Sequence, residues 1–113
     1  MTYVSQVYPK THTYNEIEMK VIQWSEKRRI IPNATPVSQL LKMVSEVGEL
    51  CDSEGKKDMP EIRDAVGDIM VCLINYCALK DIDLTQCLVG SYQQIKKRKG
   101  RLMADGTFVR EAA

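Results

Sequence analysis

The chain has 113 residues, enough for one domain with a single core, and its 16 Lys and Arg against 15 Asp and Glu leave a net charge of +1. No global field favours nucleic acid or a membrane surface, so electrostatic function must reside in local clusters. The opening MTYVSQVYPK has no apolar signal-peptide core, and the longest apolar run, 69–79 interrupted by Asn75, is shorter than the roughly 20 residues that span a bilayer. We therefore expect a soluble cytoplasmic protein with no membrane partner.

Punctuation divides the chain into four helices. An irregular arm, 1–12, carries the lone His12, which reads as an exposed terminal residue. The first helix is predicted over 14–28, opened by Thr13 and Glu16 at capping-box spacing, with Trp24 on its apolar side as either a core or a base-stacking residue. The second follows Thr35 and Pro36, a cap and first-turn proline, and ends at Gly55. Asp58 and Glu61 open the third, which continues to about residue 80. Asp83 and Gln86 open the fourth, which stops at Gly100. The tail, 101–113, is expected to be irregular, with a turn at Asp105-Gly106. Strand signals are weak throughout, so the expected class is all-α: one domain over 1–113, like a four-helix bundle. Cys51, Cys72, Cys77 and Cys87 have no CxxC spacing, and we read them as core thiols.

On a helical wheel Glu61, Asp64, Asp68 and Asn75 fall within about 60° of one another, while apolar residues cover most of the remaining circumference. Such a helix is packed on several sides and should be central. In the second helix Gln39, Lys42, Glu46, Glu49 and Ser53 fall within about 80°, opposite Leu40, Met43, Val44, Val47, Leu50 and Cys51. Solvated faces of two amphipathic helices would give the same stripes, with Lys42 and Glu46 as an i, i+4 pair. Acids that instead face one another would repel and take up protons unless a cation sat between them, and carboxylate oxygens suit Mg2+ or Mn2+. A ferritin-like di-iron site is set aside, because it needs Glu-x-x-His pairs.

The segment EVGEL (46–50), followed by GDIMVCLIN (67–75), resembles the MazG-like, all-α NTP pyrophosphatase superfamily over roughly residues 24–98. The family pattern is an ExxE on one helix and an ExxD on the next. Glu46 and Glu49 match the first, Asp68 matches the aspartate of the second, and Asn75 matches an asparagine two turns on. Where the family commonly reads EELGD this chain has DAVGD, so Ala65 stands at the usual glutamate, Asp64 is the first choice for the fourth metal ligand and Glu61 the second. Gln94 replaces a lysine common on the last helix.

The resemblance implies hydrolysis of a nucleoside triphosphate between its α and β phosphates, with Mg2+ or Mn2+ held by these carboxylates. Glu46 or Glu49 would accept the water proton, and Lys42, Asn75, Trp24, Lys97 and Arg98 would contact substrate. The basic run KKRKGR (96–101) has a second reading, as cations in the last turn of a helix. It lacks the aromatic interleaving of a nucleic-acid binder. A helix as apolar as the third is hard to cover in so small a chain, so a homodimer or homotetramer is expected. The rival reading, kept open by Ala65, is a catalytically silent helical oligomer that senses nucleotide or binds a protein.

Overall fold

The computed structural model describes residue 8 and residues 11–112, so most of the arm expected at 1–12 lies outside the described residues; His12 is exposed. α1 (Tyr14–Lys27) begins at a capping box, in which the Thr13 hydroxyl accepts from the Glu16 amide and the Glu16 carboxylate accepts from the Thr13 amide. The connection that follows contains a feature that periodicity did not show, the single turn α2 (Ile30–Asn33), in which Ile31 is extended and the Asn33 side chain donates to the Arg29 carbonyl. α3 (Pro36–Lys56), α4 (Met59–Lys80) and α5 (Leu84–Ile95) start where the caps Thr35, Asp58 and Asp83 accept from the amides of Ser38, Glu61 and Gln86. Each such cap contributes about 1 kcal/mol. α3 runs past Gly55, and Lys57 takes the left-handed closing position at φ 56°.

The C-terminal expectation needs correction. α5 ends at Ile95, and Gly100–Leu102 (β1) pairs antiparallel with Phe108–Arg110 (β2), so the tail is a hairpin. Gly100, read as a helix stop, is instead a strand residue whose missing side chain admits the Val109 carbonyl and the Phe108 ring. The expected turn is present: Gly106 has φ +90° and Asp105 Oδ1 accepts from the Thr107 amide at 2.9 Å.

The chain forms two compact units, one ending at Ile82 and the other beginning at Asp83. In the first, α4 packs against α1, α2 and α3, and the buried apolar residues among those described, Ala65, Cys72, Ile74 and Cys77, all lie on it. The core reading therefore holds for Cys72 and Cys77, whereas Cys51 and Cys87 are exposed; none of the four is in a disulfide. Trp24 is not core, being 48% exposed. No described helix is long and apolar enough to cross a membrane.

α3 is turned opposite to ordinary amphipathic packing. Val37, Leu41 and Val44 are each more than 60% exposed, while Gln39 and Ser53 are buried. The polar stripe of α3 meets the polar stripe of α4 in antiparallel register: Gln39 with Asn75, Glu46 with Asp68, Ser53 with Glu61. Successive members are seven residues apart on each helix, the spacing that keeps a row on one helical face. At one end Ser25 of α1, fully buried, donates to Asn75 Oδ1 at 2.6 Å, and Asn75 Nδ2 donates to Gln39 Oε1 at 3.5 Å.

Removing the amide at the centre of that network strands the Ser25 hydroxyl in the interior. Asn75→Ala should lower the free energy of unfolding in urea by about 1–3 kcal/mol. A loss under about 0.5 kcal/mol would show that the buried chain contributes nothing to stability.

Candidate active site

Between α3 and α4 lies a cleft of about 320 Å3 whose walls carry five carboxylates, Glu49, Asp52, Glu61, Asp64 and Asp68, with Ser53 and Ala65 at its base and no cationic side chain. Asp68 also lines a second cavity, of about 360 Å3. Its walls are Trp24, Ile30, Val71 and Cys72 on the apolar side and Gln39, Asn75, Lys42 and Glu46 on the polar side. The two spaces therefore share one wall residue and differ in chemistry: one offers only acidic oxygens, the other an aromatic face, aliphatic carbons and two carboxamides.

Glu46 is the strained member of the seam. Its side chain is 12% exposed, one carboxylate oxygen is buried with no hydrogen-bond partner, and Lys42 Nζ, on a largely solvated side chain, stands 3.9 Å from the other oxygen. Burial pushes the Glu46 carboxyl above its ordinary range; hydrogen bonding with Glu49 and the negative charges of Glu49 and Asp68 push the same way, against the pull of Lys42.

The other predicted residues divide between the two spaces and the second unit. Glu49, Asp64 and Asp68 line the acidic cleft with Glu61, whose carboxylate lies 3.3 Å from Ser53 Oγ, a hydroxyl better placed to donate to the Glu49 carbonyl at 2.8 Å. Ala65 is buried in the cleft wall, and Asn75 and Trp24 line the second cavity. α5 ends at Ile95, and Lys97 and Arg98 follow in a hydrogen-bonded turn, their amides donating to the Gln94 and Ile95 carbonyls; with Lys99 and Arg110 they line a concavity of the second unit. Sequence reasoning missed Ser25, Asp52 and the function open to Gln39 and Ser53. The last two were visible as ends of the α3 stripe, but a lone serine in a surface-patterned helix carries no such signal.

Among the described residues no three His, Cys, Asp or Glu side chains are arranged to hold an ion as they stand. Asp52 is paired with Lys56 Nζ at 2.9 Å, and like charge disfavours closer approach of acids that no cation bridges. The donor set nevertheless fits a hard divalent cation: every candidate atom is a carboxylate oxygen, and the partnerless oxygen of Glu46 is what such an ion would satisfy.

No family model matches the chain. Over 61 residues it is 34% identical to an uncharacterized 18.2 kDa protein from the rep-hol intergenic region of Haemophilus phage HP1 (strain HP1c1), a match that spans 54% of this chain and 37% of that protein. The structure is similar to that of the cyanophage S-2L MazG-like pyrophosphohydrolase, solved bound to dGDP and three catalytic Mn2+ ions per active site, with a TM-score of 0.69 and 18% identity over 93% of this chain and 99% of that one. The chain has an all-α, MazG-like fold.

Because the native Glu46 carboxyl holds its proton to higher pH than the unfolded one, metal-free protein should lose stability as pH rises from the ordinary carboxylate value through the raised one. Glu46→Gln should therefore melt above wild type at pH 7–8 in chelator, the gap closing below about pH 4. Mn2+ should shrink or reverse the gap, since an ion bound only by the native state stabilises wild type. A variant less stable than wild type at every pH would place Glu46 in a purely favourable ion pair with Lys42.

Proposed function

We propose that the chain is a divalent-metal-dependent nucleoside triphosphate pyrophosphohydrolase, cleaving a (d)NTP between its α and β phosphates to give a nucleoside monophosphate and pyrophosphate. The observation that carries this reading is the position of Asp68, shared by an all-carboxylate cleft suited to metal-bound phosphates and a neighbouring cavity suited to a nucleoside. The likeness of the fold to the cyanophage pyrophosphohydrolase supports it, as do the dGDP and Mn2+ bound by that protein.

Glu46, Glu49, Asp64 and Asp68 are the metal-holding set, with Glu61 as the alternative to Asp64. Mg2+, or Mn2+ in its place, would polarise phosphate oxygens and lower the pKa of a bound water. Glu46 or Glu49 would accept that water's proton. Trp24 offers a stacking face, Asn75 and Lys42 border the nucleoside cavity, and Lys97 and Arg98 are the candidates for phosphate-binding charge that the family resemblance implies.

The exposed apolar row Val37, Leu41 and Val44 on α3 supports assembly as a homodimer or homotetramer. The substrate is a free nucleotide of the cytoplasmic pool, with no membrane or nucleic-acid partner. The burial of Ala65 where the family carries a glutamate sustains a second reading, a silent oligomer that binds nucleotide without turnover.

With purified protein, Mg2+ and a panel of NTPs, wild type should release pyrophosphate. Asp68→Asn should be inactive, Asp64→Asn severely impaired, and Glu61→Gln should retain activity reduced on the order of 10 to 100-fold. A dead Glu61→Gln beside a near-normal Asp68→Asn would reverse the ligand assignment. Nucleotide binding without pyrophosphate release by wild type would establish the silent oligomer.

A further inference from the structure

The Ser25–Asn75–Gln39 chain has a direction, and the direction has a consequence for whatever occupies the cavity beside it. At 2.6 Å the Ser25–Asn75 contact is at the length of an O–H···O bond and shorter than N–H···O bonds run. The oxygen of the Asn75 carboxamide therefore faces Ser25, and its nitrogen faces away. That nitrogen meets Gln39, whose oxygen is the only side-chain atom able to accept from it. Gln39 is thereby left with its amino group, two N–H donors, as the end of the network. Among the described residues no further side-chain hydrogen bond engages Gln39, which is buried and lines the cavity shared with Trp24 and Asp68.

A donor pair opening on a space with an aromatic face and aliphatic walls is matched by a flat group that presents an acceptor, and mismatched by one that presents another donor. We propose that Gln39, oriented through Asn75 by the buried Ser25 hydroxyl, selects nucleotides whose base carries a carbonyl at the recognised edge, the guanine-like and uracil- or thymine-like bases, against their amino counterparts. Gln39 is the specificity-determining residue and Ser25 the positioning residue. The inference rests on the proposed nucleotide site and adds its base preference.

Matched pairs isolate the effect. Inosine and adenosine nucleotides differ at purine position 6 as carbonyl against amino, and uridine and cytidine nucleotides differ likewise at position 4. Calorimetric titration of the full chain, in Mn2+, with the α,β-methylene triphosphates of each pair should give tighter binding of the carbonyl member by on the order of tenfold or more. Ser25→Ala, checked for helicity by circular dichroism, should bring the ratio within each pair towards one while leaving the affinity for inorganic tripolyphosphate unchanged. A merely structural role would weaken both members and tripolyphosphate together. Gln39→Glu, which replaces donors by acceptors, should invert the preference. Equal binding within both pairs by wild type, or preference for the amino members, would overturn the inference while pyrophosphate release upheld the enzymatic reading. Failure of both tripolyphosphate and every nucleotide to bind would overturn the two together.

Discussion

The first unit depends on a polar seam where two helices would ordinarily bury apolar side chains. α3 and α4 face each other through Gln39 and Asn75, Glu46 and Asp68, Ser53 and Glu61. Desolvating such groups is costly unless each finds a partner. The ends of the seam are compensated, Asn75 by Ser25 at one and the Ser53 hydroxyl by the Glu49 carbonyl at the other. The middle is not, since Glu46 keeps a buried oxygen without a partner beside two other carboxylates. A local conflict inside an otherwise consistent fold is where a functional site is expected, because stability is given up there for chemistry.

The seam also dictates what the rest of α3 must do. A helix that turns its polar stripe inward turns Val37, Leu41 and Val44 outward. Among the described residues, the buried apolar side chains of the unit lie on α4 alone, a thin core for its length. A second copy covering that outward row would supply the burial that the polar seam withholds, so the proposed site and the proposed assembly share one cause.

Charge is segregated in a way the net value of +1 conceals. From Asp83 onward there are six basic and three acidic residues, and before it ten and twelve. The acids line the cleft of the first unit, and Lys97, Arg98, Lys99 and Arg110 surround a concavity of the second.

The sequence by itself determined the features whose physics is local. Thr13, Thr35, Asp58 and Asp83 open helices because a side-chain oxygen reaches an amide three residues on, whatever the tertiary setting. The stripes on α3 and α4, the central place of α4 and the turn at Gly106 follow from periodicity and turn chemistry in the same way. Tertiary structure alone decided which face of α3 is inside, because a polar stripe reads alike whether water or another polar stripe covers it. It decided the exposure of Trp24 and Cys51 for the same reason. The hairpin escaped notice because three-residue strands are too short to show alternation and Gly100 serves equally as a helix stop. Ser25 acquires its role only through a partner 50 residues away, and no local pattern can encode a hydrogen bond that the fold must first bring together.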